Sequence, residues 1–203
     1  QEIQVEEQII NMPAVALRGL TILPGMIAHF DVSRERSLRA IEEAMEQDQK
    51  IYLVTQKNVD REDPTQEDLY QMGIVADIKQ VDRLQNDVVR ILVDGISRAK
   101  LLGFTGCEKY LEAEICYFDS NKDSLPEDLR EAMLLGVRET FHRYAAVIGK
   151  ISKELIRQID QYEDLEKLID YVTNNLPVSY ELKQQVLEAE DINDRYQVIV
   201  SLL

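Results

Sequence analysis

The sequence predicts an α+β chain, with a small β-rich lobe carrying one helix followed by an all-α helical bundle. Three observations carry that reading. Short runs rich in β-branched and aromatic residues alternate with turn residues through the first part of the chain. Beyond "FDSNKDSLPEDL", Phe118 to Leu129, apolar residues recur at three- and four-residue steps instead. At 203 residues, 45% hydrophobic and 30% charged, the chain has the length and composition to bury a core. The change of texture places a boundary between residues 1–119 and 120–203.

In the first lobe, "AVALRG", "MIAHFDV", "KIYLVTQ", "GIVADIKQVDRL", "VVRILVDG", "ISRAKLLGF" and "YLEAEICYF" read as strands. The stretch "LRGLTILPGM", Leu17 to Met26, holds two turns, at Arg18-Gly19 and at Pro24-Gly25. "QNDV" after Leu84 reads as a hairpin turn, and Gly95 as either a tight turn or a bulge at a barrel corner. One helix interrupts the strands, "SRERSLRAIEEAMEQDQ", with Ser33 as its cap and Leu38, Ile41, Ala44 and Met45 on its inner face. Many short strands plus one helix predict a strongly bent sheet or partial barrel.

The second lobe opens on Ser124-Leu125-Pro126-Glu127, a cap followed by Pro at the first helical position. Leu129, Met133, Val137, Phe141, Tyr144 and Ile148 then mark one face of a long helix that stops at Gly149. Ser152–Ile159, Glu163–Asn175, Ser179–Ala189 and Ile192–Leu203 complete a bundle of five.

Charge narrows the partners. The net charge is −15 and both lobes are acidic, so a phosphate backbone or an anionic membrane surface would be repelled. No apolar run approaches transmembrane length, no signal peptide is evident, and Cys107 and Cys116 suit free thiols in a reducing compartment. Those features predict a cytoplasmic protein. The chain opens on Gln and stops inside the apolar pattern "VIVSLL", which predicts a piece of a longer protein continuing past Leu203.

Catalytic signatures are missing. His29 and His142 fall in different lobes and no zinc-ligand spacing is present. Ser97 and Lys100 match S-x-x-K, yet residues three apart on a strand point to opposite faces. Gly149-Lys150 lacks the earlier glycine and the strand of a phosphate loop. What remains is a set of apolar turns, edge strands and helix faces, which bind rather than react.

Several stretches resemble a known family in order and spacing. "VALRGLTILPGMIAHFDVSRERSLRAIEEAM", "EDPTQEDLYQMGIVADIKQV", "VRILVDGISRAKL" and "LPVSYELKQQVLEAEDINDRYQVIVSLL" together resemble the amino-terminal domain of the Lon family of ATP-dependent serine proteases, from about Met12 to Leu203. Ala16, His29 and Ser33 depart from its pattern, which favours Pro, Pro and Gly there. The resemblance implies a PUA-like pseudo-barrel at 1–119 and a helical lobe at 120–203 that leads toward linker and ATPase modules. It implies a non-catalytic region that selects unfolded, damaged or short-lived regulatory proteins and supports assembly of a homohexameric parent. ATP and Mg would serve the parent's other modules, with no cofactor in this piece.

The surface expected to hold substrate is Pro24, Met26, Ile27, His29 and Phe30, rimmed by Arg34, Glu35 and Arg36. An adaptable Met beside an edge strand suits loose recognition of extended segments. A second expectation is self-association through Ile192, Tyr196, Ile199, Val200 and Leu203 on the last helix, pairing fragments as dimers. The alternative is a stand-alone adaptor or interaction module of the same fold without an attached protease. An RNA-binding role is disfavoured by the acidity.

Overall fold

The computed structural model describes residues 8–118 and 125–203. Its contacts divide the chain into two compact units, Gln1–Phe118 and Asp119–Leu203. The fold is α+β.

Unit 1 contains β1 (Ile9–Leu17), β2 (Ile27–Val32), α1 (Glu35–Glu46), β3 (Lys50–Thr55), β4 (Met72–Arg83), β5 (Val89–Phe104) and β6 (Glu112–Tyr117). The strands order as β2-β5-β4-β3-β1-β6, and β5 pairs with β6 as well. The sheet therefore closes on itself through β5, and β2 hangs on the first half of that strand. Among the described strands only β1 and β3 pair in parallel.

The middle strands are covered on both faces. Val15, Leu17, Ile51 and Leu53 enter one core with Ile41 and Ala44 of α1. Met12, Ala14, Ala16, Tyr52 and Val54 enter another. Double burial explains why these segments read as unbroken apolar runs rather than alternating ones. Each large aliphatic side chain so placed stabilises the fold by about 1.5–3 kcal/mol.

β5 is one strand of 16 residues, not two. Its partner register slips between Val75↔Ser97 and Ala76↔Gly95, so Ile96 is the bulged residue. The bulge bends the strand enough to serve β2 with one half and β6 with the other. The β4–β5 turn has consecutive positive φ values of 60° at Asn86 and 57° at Asp87, a mirror-image hairpin turn at "QNDV".

Four local expectations shift. β1 starts at Ile9, because Ile9–Pro13 pair with β6; Pro13 sits at the end of that ladder, where its missing N–H costs little. Helix α1 takes Arg34 as its cap, without a side-chain cap bond, in place of Ser33. Its buried face is Ser37, Ala40, Ile41 and Ala44, with Leu38 half-buried and Met45 exposed. Small residues let the helix lie close on the sheet, and the wider Met turns outward. The segment before β4 contains an unforeseen 3-10 turn, Gln66–Asp68, closed by a capping box between Thr65 and Asp68.

Unit 2 is α2 (Glu127–Ile148), α3 (Lys153–Gln161), α4 (Leu165–Asn175), α5 (Tyr180–Glu188) and α6 (Ile192–Leu202). Side chains cap four of the starts, Ser152, Asp164, Ser179 and Asp191 each accepting from a backbone N–H of the first turn. Gly149, at φ 66°, closes α2 in the left-handed region. Pro126 precedes the first helical residue by one position, and the expected cap at Ser124 lies outside the described residues. Met133, Val137 and Phe141 of α2 are buried, whereas Leu129 and Ile148 at its ends are exposed. Shorter partner helices cover only the middle of the long one. Leu165, Leu168, Ile169 and Val172 of α4 are all buried.

Candidate functional site

The segment between β1 and β2 is held by a turn whose chemistry is written in its residues. The Met26 N–H donates to Leu23 O at 3.1 Å. Pro24 supplies the fixed φ of the second turn position, and Gly25, at φ 78°, supplies the left-handed third. The turn is pinned to the β5 bulge by Gly25 N–H to Gly95 O at 2.8 Å and Gly95 N–H to Met26 O at 2.9 Å. A Cβ on Gly95 would stand 2.5 Å from Leu23 O, so only glycine lets the two backbones meet.

Beyond the pin, β2 pairs with β5 from Ile27↔Asp94 to Val32↔Val89. Its other edge pairs with no strand among the described residues. Ile27, His29 and Asp31 point outward, Ile27 with 68% of its surface exposed. Ala28 and Val32 point in, and Met26 and Phe30 pack partly on the core. Strand alternation thus splits the expected site: Ile27 and His29 form the exposed face, and Phe30 belongs mainly to the interior. Pro24 is half-buried in the turn. Asp31 is held by a two-pronged ion pair, Arg90 Nε to Oδ1 at 2.7 Å and Nη2 to Oδ2 at 3.1 Å. Hydrogen bonding from that guanidinium keeps the Asp31 carboxyl below its ordinary pKa.

The residues of the expected arginine rim have partners within the fold. Arg34 Nη2 donates to Ala16 O and to Gln56 Oε1, both at 2.8 Å, and Nη1 donates to Glu62 O at 3.0 Å. Gln56 is fully buried, and its Nε2 donates to the carbonyls of Asn58 and Arg61. The pair gathers the 57–62 loop against β1. Burial, with Arg18 nearby, lowers the Arg34 pKa from its ordinary value. Arg36 Nη2 donates to Cys107 O at 2.8 Å and Tyr110 O at 3.2 Å, gathering the β5–β6 loop. A planar fork suits such paired carbonyls. Glu35 faces Arg39 one helical turn on. The cluster "SRERS" is therefore a pair of loop anchors.

One prediction follows for the first anchor. Arg34→Met should destabilise unit 1 by about 1–2 kcal/mol, because three acceptors lose their donor. Trypsin should then cut after Lys57 and Arg61 several-fold faster, read by mass spectrometry, while cleavage in α4–α6 stays unchanged.

The helical stripe divides between interior and partly open positions. Ile192 and Ile199 are 1% and 0% exposed, packed inside the unit. Tyr196, Val200 and Leu203 are half-buried, and a Cβ on Gly136 would overlap the Tyr196 hydroxyl. An amphipathic helix docked by its apolar stripe leaves Ile192 and Ile199 unavailable to a second copy. Sequence reading overlooked Arg195, which is 1% exposed. Its place three residues after Ile192 and four before Ile199 was the available signal.

Ser97 and Lys100 both lie on β5, and Lys100 Nζ sits 5.3 Å above the Phe118 ring. Among the described residues no three His, Cys, Asp or Glu side chains group as metal ligands. No described helix is long and apolar enough to cross a membrane. Cys107 and Cys116 are free thiols, the second buried in β6.

Comparison with known proteins agrees with this architecture. Residues 11–203 match the family model of the ATP-dependent protease La (LON) substrate-binding domain. The chain is 36% identical over 199 residues to the Lon protease of Lachnoclostridium phytofermentans, covering 98% of this chain and 25% of that protein. It is 31% identical over 200 residues to Lon protease 1 of Bacillus subtilis, again covering 98% and 25%. The chain thus spans about a quarter of the length of the curated relatives it matches. The N-terminal domain of Mycobacterium avium complex Lon protease superposes with a TM-score of 0.77 at 18% identity, covering 95% of this chain and 97% of that one. The Lon N-terminal domain protein from Xanthomonas campestris gives 0.64 at 13%, covering 96% and 99%. A closed sheet with β2 hanging on β5, a helical unit, and a family model that matches residues 11–203 place the chain in the Lon substrate-binding domain family.

Proposed function

We propose that this region captures unfolded, damaged or short-lived regulatory proteins for a parent ATP-dependent serine protease. The observation that carries the reading is β2, which pairs with β5 alone and leaves its whole other edge without a strand partner among the described residues, presenting exposed Ile27 and His29 beside Met26. An extended segment can add to such an edge through main-chain bonds, which tolerate almost any sequence, while shallow apolar contacts give a mild preference. The parent would act in the cytoplasm as a homohexamer, with ATP and Mg bound by modules other than this one. Weak self-association of this region would support that assembly, through the half-buried Tyr196, Val200 and Leu203 rather than through the buried isoleucines.

Reduced, carboxymethylated lactalbumin is a suitable unfolded probe. It should bind the 203-residue chain, and Ile27→Asp should weaken binding about tenfold, since one exposed apolar anchor is replaced by a hydrated charge. Because Ile27 is 68% exposed, the circular dichroism spectrum should stay the same. Unchanged affinity in a folded Ile27→Asp variant would remove β2 from the site.

A further inference from the structure

A recess lies beside the β2–α1 junction. It is a groove of about 490 Å³ between α1 and the β4–β5 hairpin. Leu38, Ile41, Val81, Leu84 and Val89 make its apolar floor. Leu84, at the hairpin end, is 41% exposed. The rim is formed by Glu35, Glu42, Asp87 and Arg83. Glu35 faces Arg39, and Glu42 stands 3.9 Å from Arg83 with both side chains well exposed. Asp87 forms no ion pair with another described residue. The rim thus carries three carboxylates to one guanidinium, on a chain whose net charge is −15.

An apolar floor alone would accept any greasy segment. The acidic rim discriminates, because a carboxylate entering beside Glu42 and Asp87 meets like charge, whereas a Lys or Arg gains contact as its neighbouring side chain fills the floor. We infer that this groove docks substrate segments in which a bulky aliphatic residue is followed closely by a basic one. The inference rests on the substrate-capture reading and adds a charge preference and a second contact point to it. Ser33 and Glu35 line the groove and directly follow β2, so an extended chain held on that strand could continue into it. Weak surface charge pairs set the scale: each is worth a few-fold in affinity, and the preference should fade with salt.

The test uses fluorescein-labelled ten-residue peptides, one alternating Leu and Arg, one alternating Leu and Glu, and one alternating Ser and Arg, with the 203-residue chain and anisotropy as readout. The Leu/Arg peptide should bind about tenfold more tightly than either of the others. Glu42→Gln with Asp87→Asn, both at exposed positions, should abolish most of that advantage over the Leu/Glu peptide. Leu84→Ser should weaken the Leu/Arg peptide without altering the fold. Equal affinities for the three peptides, or a preference that survives the double amide variant, would overturn the inference. If lactalbumin still bound in that case, substrate capture would stand and the groove would fall; if neither lactalbumin nor any peptide bound, both would fall.

Discussion

Gly73→Ala should lower the stability of the β-rich unit by roughly 3 kcal/mol, the cost of forcing atoms into a filled core. Thermal unfolding of that unit should begin on the order of 15 °C lower. Gly73 lies in β4, opposite Ala99 of β5. A Cβ there would stand 2.5 Å from Leu53 O, 2.5 Å from the Tyr52 hydroxyl oxygen and 2.6 Å from Tyr52 Cζ. Neither neighbour can move cheaply. Leu53 is backbone inside the β3–β4 ladder, paired with Ile74. Tyr52 is fully buried, and its hydroxyl donates to Ala99 O at 2.9 Å across the sheet. Burial drives the Tyr52 pKa far upward, so the phenol stays a neutral donor. The bare Cα of Gly73 is the path by which the ring reaches that carbonyl.

Hydrogen exchange resolved by mass spectrometry separates the two units. In Gly73→Ala, peptides from β4 and β5 should lose protection while those from α4 to α6 keep theirs. Tyr52→Phe alone should cost about 1 kcal/mol for the orphaned Ala99 carbonyl. In the double variant the missing hydroxyl removes one of the overlaps, so the two costs should fall short of adding, by about 0.5 kcal/mol or more. A Gly73→Ala chain that melts within about 2 °C of the parent sequence would show that the close approach has no energetic consequence.

Gly73 also shows how far the residues alone reach. "QMGIVADIKQV" announces a strand through its β-branched residues, and "LPGM" announces a turn, because both depend on local backbone preference. The bulge beside Gly95 was legible as one of two options; the choice depended on Leu23, distant in sequence, which no local rule supplies. At the candidate site, a strand over "MIAHFDV" puts neighbouring residues on opposite faces. Which of Ile27 and Phe30 faced out required the pairing of Ile27 with Asp94 and the position of α1. The anchoring of the arginines was not legible, because exposure and attachment look alike in a charge run. Arg34 becomes a clamp only when Ala16 O and Gln56 Oε1 arrive from elsewhere in the chain. Leu84 and Val89, on either side of a turn, carried no sign that α1 would face them and form a groove.

Arg195→Met should destabilise the helical unit by about 2–4 kcal/mol, since two buried carbonyls lose a charged donor at roughly 1–3 kcal/mol each. Arg195 is among the largest fully buried side chains of the described residues. It sits in the first turns of α6 and reaches back, Nε donating to Ala189 O at 2.6 Å and Nη2 to Glu190 O at 3.3 Å. Those carbonyls belong to the short link after α5, where the last groups of a helix lack intrahelical partners. One guanidinium therefore ties the end of α5 to the start of α6, and Asp191 caps α6 beside it. Methionine keeps the volume but leaves two carbonyls dry. Lysine keeps the charge, but a single ammonium replaces donors spaced along a rigid plane, so Arg195→Lys should recover only part of the loss. Hydrogen exchange should show α5 and α6 losing protection first, with β3 and β4 unaffected. If α6 loosens, Tyr196, Val200 and Leu203 should become exposed together, and sedimentation should then reveal more self-association than in the parent sequence. A Met variant as stable as the parent sequence would mean that the link's carbonyls find water, and that Arg195 is held there by its shape rather than by its donors.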